Sequence, residues 1–260
     1  MRSIKIIIDL DGTIYRGSQL VEHAKSFCAM LETRNIGYYF FTNCSKRTPQ
    51  EVAYALKEMG LETKEKSIIT SGCIARKYLH STDKKMLIYV VGSDSFKDYL
   101  LIDNIELTNG KDVAADYVIV GFSTDFTYED LTHALWHIQK GAKFITTNLD
   151  NTVPVENNTV PHTGAICAFL EYASNQKPIN LGKPSKYAGD YFMEAFGSDE
   201  ILVIGDRVDT DMLFANNNGF TGCLVMTGIT QHRDTGNNKH HCYNIFNNLL
   251  DLHEFIEYKI

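Results

Sequence analysis

The sequence has no long apolar run that could cross a membrane. Its first apolar stretch, Ile6-Ile7-Ile8, ends at Asp9, and nothing later reaches the roughly 18 uninterrupted apolar residues that a span requires. The same stretch is too short for the apolar core of a secretory leader. We therefore expect a cytoplasmic protein without a membrane partner.

Paired cysteine motifs and basic blocks are also missing. The six cysteines are scattered without a C-x-x-C pair, so in a reducing compartment we expect free thiols, mostly small core residues. Lysine and arginine number 25 against 32 acidic residues, a net charge of −7 that argues against nucleic acid as the main partner. An anionic substrate would then need local attraction from a metal or a few cations. The 260 residues allow one large domain or two modest ones.

Short apolar segments alternate with helical patterns along the chain. This rhythm is typical of an α/β fold with a parallel sheet and right-handed crossovers. Strands are expected near 4–8, 37–43, 86–91, 117–121, 143–147, 201–206 and 221–226, and helices near 22–33, 48–59, 128–140 and 210–216. The polar residues 235–241 predict a surface loop.

Polar residues cluster where the predicted strands end. The clusters are Asp9 with Asp11, Thr42 with Asn43, Asp206 after Gly205, and Lys183 after Gly182. A single aspartate at such a place commonly starts a turn or caps a helix. The ordered set favours a ligand site instead, because ligands of open parallel sheets bind beyond the carboxyl ends of the strands.

This set of side chains suits phosphoryl transfer. Two carboxylates from different strands can hold Mg²⁺ through hard oxygen ligands. The metal and a lysine ammonium would reduce the repulsion between a carboxylate nucleophile and a phosphate dianion. An aspartyl-phosphate intermediate could then form, and a second carboxylate two residues further on could move protons.

The motifs resemble those of the haloacid dehalogenase (HAD) superfamily. Asp9-Leu10-Asp11-Gly12-Thr13 is similar to its first motif, Thr42-Asn43 to the second, Lys183 to the third, and the segment from Gly205 to Asp211 to the fourth. Thr147-Asn148-Leu149-Asp150 and Gly182-Lys183-Pro184-Ser185 resemble the NagD-type, or nitrophenylphosphatase, branch. The resemblance implies a Rossmann-like parallel-sheet core at residues 1–79 and 179–260. An α/β cap domain that sets substrate specificity would be inserted between the second and third motifs, at residues 80–178.

The resemblance also implies a role for each motif residue. Asp9 would be the nucleophile and a Mg²⁺ ligand, and Asp11 the general acid/base and a ligand through its backbone carbonyl. Asp206 would be the third protein ligand to the metal. The phosphoryl group would be bound by Gly12, Thr42, Asn43 and Lys183. Asp211 would hold the metal-bound waters or orient Lys183, and the role of Asp209 stays open because acidic spacing in this motif varies.

Substrate choice is expected to depend on cap residues. The candidates are Asn148, Asp150 and His162. Two interpretations of His162 are open, a substrate contact or an exposed loop residue, and Asp150 could simply hold its loop together.

The resulting hypothesis is a Mg²⁺-dependent phosphatase acting on small phosphorylated metabolites, such as sugar phosphates or nucleotides. Two alternatives stay open: a phosphotransferase on the same site and a non-catalytic binding protein with the same fold. The carboxylate at Asp11 favours phosphoryl transfer over dehalogenation within the family. A homodimer is compatible with the resemblance.

Overall fold

The computed structural model describes residues 4–80, 84–102, 104–155, 158–197, 199–230 and 243–259. The predicted loop at 235–241 lies outside them. The helices and strands, in chain order, are β1 Ile4–Ile8, β2 Tyr15–Arg16, β3 Gln19–Leu20, α1 Ala24–Thr33, β4 Gly37–Thr42, α2 Pro49–Glu58, β5 Ile68–Thr70, α3 Ser71–His80, β6 Met86–Val91, α4 Asp94–Leu100, β7 Ile105–Leu107, β8 Tyr117–Val120, α5 Tyr128–Gln139, β9 Lys143–Thr146, β10 Thr152–Val155, β11 Asn158–Pro161, α6 Thr163–Ser174, β12 Ile179–Asn180, α7 Lys186–Phe196, β13 Glu200–Gly205, α8 Leu213–Asn217, β14 Thr221–Val225, β15 Tyr243–Phe246 and α9 Leu249–Lys259.

The chain forms two compact units. The first contains Met1–Thr42, Glu51–Ile69 and Lys183–Ile260, and the second contains Asn43–Gln50 and Thr70–Gly182. The chain therefore passes between the units after Thr42, Gln50, Ile69 and Gly182, and the second and third motifs lie at the first and last of these passages.

The first unit is built on a sheet with the strand order β15-β14-β13-β1-β4-β5. Strand β1 pairs in parallel with β13 on one side and β4 on the other. Ile6, Ile7 and Ile8 are fully buried, as expected for a central β-branched strand covered on both faces. Because parallel neighbours end at one edge of a sheet, Asp9 and Asp206 follow adjacent strands at the same edge.

The second unit has its own parallel sheet, with the order β12-β9-β8-β6-β7. Its core lies between this sheet and helices α5 and α6, around residues such as Val118, Leu131 and Leu170. Helix α5 begins at a capping box, in which Thr127 and Asp130 satisfy each other's backbone amides. The two sheets confirm the predicted α/β class with parallel strands.

One predicted helix differs from the structure. The chain after β13 first makes a π-helical turn at Val208–Met212, and only then the short α8. Such wide turns are frequent at functional sites. The turn brings the Asp211 carboxylate against Gly205, where a Cβ atom would overlap it. Among the described residues, no helix is both long and apolar enough to cross a membrane.

Candidate active site

Lys183 and Asp9 form a buried ion pair in the first unit. The Lys183 ammonium donates to Asp9 Oδ1 at 2.6 Å, to Asp211 Oδ1 at 2.7 Å and to the carbonyl of Phe41 at 3.0 Å. An ammonium has three donors, and here each has an acceptor. Burial lowers the pKa of Lys183, but Asp211 and Asp9 more than offset this and hold the pKa above its ordinary value. Lys183 is therefore a fixed positive charge beside Asp9.

Three carboxylates converge around this lysine. Ligand oxygens of Asp9, Asp206 and Asp211 lie within 4.8 Å of one another, and all three residues are buried. Burial raises the pKa of the Asp9 carboxyl well above its usual value. Burial, followed by the negative charge of Asp211, raises the pKa of Asp206 to about 7. One ammonium cannot neutralise three ionised carboxylates, so full ionisation of the cluster requires a further cation.

The donor set fits a divalent cation. Oδ1 of Asp206 is buried and has no hydrogen-bond partner among the described residues, whereas Oδ2 accepts the amide of Ile229 at 2.7 Å. An unsatisfied buried carboxylate oxygen is costly unless something else binds it. Hard oxygen ligands at this spacing are those that Mg²⁺ or Ca²⁺ prefers.

Two glycines make room for the Asp206 carboxylate. Gly12 has φ +87°, and a Cβ atom on either Gly12 or Gly228 would overlap Asp206. The Thr227 hydroxyl donates to the carbonyl of Gly12 at 2.8 Å, which ties the loop after β14 to the first motif. Sequence reasoning found Gly12 but missed Thr227, Gly228 and Ile229. Their position directly after a predicted strand was the available signal.

Asp11 lies apart from the buried carboxylates. Its side chain is exposed, and its Oδ2 accepts the Tyr15 hydroxyl at 3.0 Å. An exposed carboxylate two residues after the buried Asp9 can exchange protons with solvent.

The structure distinguishes the two later aspartates of the fourth motif. Asp209 forms a bidentate pair with Arg207, at 3.0 and 2.8 Å, and its side chain is 70% exposed. Asp211 is 1% exposed and bonded to Lys183. Only Asp211 therefore belongs to the buried cluster.

The remaining candidates lie together in the second unit, apart from Thr42, which is buried at the end of β4 in the first. Asn43 donates its side-chain amide to both oxygens of Asp150 at 3.3 Å. The backbone carbonyl of Asn43 accepts the amide of Asn148 at 2.8 Å. His162 bonds Asn148 at 3.1 Å and stacks on Phe122 with ring centroids 4.2 Å apart. His162 is 5% exposed, so its interpretation as an exposed loop residue is wrong.

Comparison with known proteins agrees with these motifs. Residues 6–106 match the family described as haloacid dehalogenase-like hydrolase, and residues 180–252 match a related HAD-hydrolase-like family. The 5'-nucleotidase YutF of Bacillus subtilis is 33% identical over 86% of this chain and 88% of its own length. The chain belongs to the haloacid dehalogenase-like hydrolases. Within that family it is a phosphatase of the NagD-like type.

Solved structures show the same fold over nearly the whole chain. The 4-nitrophenylphosphatase of Thermotoga maritima superposes with a TM-score of 0.87 at 29% identity, covering 96% of each chain. A glycerol phosphate phosphatase of Mycobacterium tuberculosis, in complex with magnesium, gives 0.89 at 27% identity, over 96% of this chain and 76% of that one. The predicted core with an inserted α/β cap is thereby confirmed as the fold class.

Proposed function

We propose that this protein is a Mg²⁺-dependent phosphatase that hydrolyses small phosphomonoesters through an aspartyl-phosphate on Asp9. The observation that carries the proposal is the buried Asp9 carboxylate, which lies 2.6 Å from the Lys183 ammonium within a three-carboxylate cluster. A bound Mg²⁺ would supply positive charge for the phosphoryl oxygens and hold them in place. Asp9 and Asp206 are its proposed side-chain ligands, with the backbone carbonyl of Asp11 as the third.

The residues of the chain perform the two chemical steps. An oxygen of Asp9 attacks phosphorus as the bond to the leaving oxygen breaks, and Asp11 gives that oxygen a proton. Water then attacks the phosphorus, Asp11 takes its proton, and the bond to Asp9 breaks. Lys183 offsets the charge of Asp9 and of the transferring group, and Asp211 holds Lys183 in place.

Phosphate binding and substrate selection complete the proposal. Gly12, Thr42 and Asn43 would bind the phosphoryl oxygens together with Lys183. We assign substrate selection to the cap predicted at residues 80–178, all of which lies in the second compact unit. The names of the relatives support nucleoside monophosphates and glycerol phosphate as first substrates, and sugar phosphates are the third class to be tested.

A phosphate-release assay with Mg²⁺ tests this function. The wild type should release phosphate from at least one of these esters with water as sole acceptor, and EDTA should abolish the release. Asp9→Asn should lower kcat on the order of 10⁴-fold or more, whereas Asp190→Asn, the same change at an exposed aspartate, should have no effect. Mass spectrometry of acid-quenched wild type should find the phosphoryl group on the peptide that contains Asp9.

Other outcomes would contradict the proposal. Activity retained by Asp9→Asn would contradict the assignment of Asp9 as the nucleophile. Activity retained in EDTA would contradict the requirement for a metal ion. Phosphate release that requires a second organic acceptor would indicate a phosphotransferase instead.

A further inference from the structure

Asn148 lies at the centre of a buried hydrogen-bond network in the second unit. It is 0% exposed and follows strand β9 by two residues. Its partners come from three separate segments: Asn43 at the start of the unit, Asp150 in its own loop, and His162 with Thr163 at the beginning of α6.

Every hydrogen-bonding position of the Asn148 side chain has a protein partner. Its Nδ2 donates to the carbonyl of Asn43 at 2.8 Å and to Thr163 Oγ1 at 3.2 Å. Its Oδ1 accepts the backbone amide of Asp150 at 3.1 Å and bonds Nδ1 of His162 at 3.1 Å. An asparagine amide offers two donors and two principal acceptor sites, so none remains for a substrate.

The partners also fix the orientation of the amide. A backbone carbonyl can only accept, so Nδ2 must face Asn43, and a backbone N–H can only donate, so Oδ1 must face Asp150. Nδ1 of His162 donates to Asn148 in the tautomer that carries the ring proton there, and it also lies 3.2 Å from Oγ1 of Thr163. The ring of His162 is held in turn by Phe122, with an interplanar angle of 12°.

Asn43 is fixed at its backbone as well as at its side chain. Its carbonyl accepts the Ser71 hydroxyl at 2.6 Å in addition to Asn148. Its Oδ1 lies where a Cβ on Gly182 would be, so the chain passes close to Asn43 just before Lys183. The carbonyl of Asn43 thus has two buried donors, which come from α3 and from the loop after β9.

We infer that Asn148, oriented by His162, is a positioning residue that fixes Asn43 for phosphate binding and does not select the substrate. This inference rests on the proposed role of Asn43. A selecting residue must touch the variable part of the substrate, and its replacement changes the ratio of activities between substrates. A positioning residue acts on the phosphoryl group that all substrates share, so its replacement lowers every activity by the same factor.

The experiment measures kcat and KM of Asn148→Asp on nucleoside monophosphates, sugar phosphates and glycerol phosphate. The variant keeps the size of asparagine but cannot donate to the carbonyl of Asn43. We expect kcat to fall by about ten- to a hundred-fold for every ester, as for other small displacements of an active-site group. The ratios of kcat/KM between esters should stay within about two-fold of the wild type. Asn109→Asp, the same change at an exposed position of this unit, is the control.

Two further variants keep the inference testable if Asn148→Asp fails to fold. Ser71→Ala removes the other donor to the Asn43 carbonyl and should cause a similar uniform loss. His162→Leu removes the donor to Asn148, whereas His162→Asn places an N–H where Nδ1 lies and should restore most of the kcat lost in His162→Leu.

The outcomes separate this inference from the proposed function. If the wild type hydrolyses the esters but the ratios shift in Asn148→Asp or Ser71→Ala, the residues select substrates and the inference is wrong. Unchanged kcat in the variants would also overturn it. If the wild type hydrolyses none of the esters, the proposed function itself fails.

Discussion

Nζ of Lys183 lies 2.6 Å from Oδ1 of Asp9, and the lysine side chain is 2% exposed. A charge pair this deeply buried pays a large desolvation penalty, which is offset only while both partners are present. Its energetic importance therefore appears when one partner is removed, and the lysine is the partner whose removal leaves three carboxylates together.

Lys183→Met should weaken both stability and catalysis. Methionine keeps most of the apolar stem but leaves Asp9 and Asp211 without their common cation. We expect the free energy of unfolding at neutral pH to fall by about 3–5 kcal/mol in urea titrations without metal. We also expect kcat to fall by about 10²–10³-fold, the usual effect of losing one charge-stabilising donor.

Lys186→Met provides the matched control for Lys183→Met. Lys186 is 75% exposed and pairs with Asp190 at 3.7 Å. Such an exposed ion pair contributes about 0–1 kcal/mol to the free energy of unfolding. Equal effects of the two substitutions would show that the buried pair has no special importance.

Metal affinity should rise with pH up to about pH 7. Burial and Asp211 raise the pKa of Asp206 to about 7, so below this pH a metal ion must displace a proton to bind. Because burial raises the pKa of the other side-chain ligand, Asp9, as well, affinity for Mg²⁺ should fall by about ten-fold or more per pH unit below 7. Calorimetry at several pH values, in buffers of different ionisation enthalpy, measures the affinity and the proton release together.

Asp209→Asn tests whether the pH dependence belongs to the buried cluster. Asp209 pairs with Arg207 outside the cluster, so this variant should keep the same pH profile. A Mg²⁺ affinity that does not change between pH 5.5 and 8 would contradict the assignment of Asp206 as a ligand.

Gly228→Ala should weaken metal binding without unfolding the protein. A Cβ at this position would overlap the Asp206 carboxylate, which must then move away from the amide of Ile229. Groups that orient a metal ligand typically account for 10–100-fold in affinity, and we expect a loss of that size for Mg²⁺. In Gly110→Ala the new methyl would meet Asp112 at an ordinary 3.7 Å, so that control should bind Mg²⁺ normally. Unchanged Mg²⁺ affinity in Gly228→Ala would show that the Asp206 carboxylate can move without loss of metal binding, and the prediction would be wrong.

The sequence allowed prediction of residues that carry charge at strand ends. Asp9, Asp206 and Lys183 stand out because charged groups interrupt or follow apolar runs, and parallel strands bring such positions to one edge. Gly228 and Ile229 act through a missing Cβ and a backbone N–H. A search for reactive side chains therefore passes over them, although they follow β14 directly.

Burial within loops was beyond prediction from sequence. His162 and Asn148 were predicted to belong to the cap, but their hydrogen bonds depend on contacts between distant parts of the chain. Asn148 bonds Asn43 across 105 residues, and no local pattern indicates such a pairing. The π-helical turn at Val208–Met212 was missed for a related reason, since its residues also fit an ordinary helix.

Stability of the second unit should decrease as the pH falls below 6.5, because of His137. This residue is fully buried on α5; its Nδ1 accepts the amide of Ala115 at 3.1 Å, and its Nε2 donates to the carbonyl of Gly110 at 2.9 Å. Burial lowers the pKa of His137 below its ordinary 6.5. The unfolded chain therefore binds a proton at a higher pH than the folded one. The stabilisation is complete above pH 6.5 and is lost as the pH falls through the folded-state pKa.

Trp136 makes this pH effect measurable. It is the single tryptophan of the chain, and its ring centroid lies 4.9 Å from that of His137, so its fluorescence reports unfolding of this unit. The wild type should lose more stability between pH 8 and pH 5.5 than His137→Gln, because glutamine takes up no proton. His80→Gln, an exposed histidine of the same unit, should keep the full pH dependence. The hydrogen bonds of His137 require its neutral form, so its protonation should destabilise the unit. If His137→Gln kept the full pH dependence too, protonation of another group would be responsible.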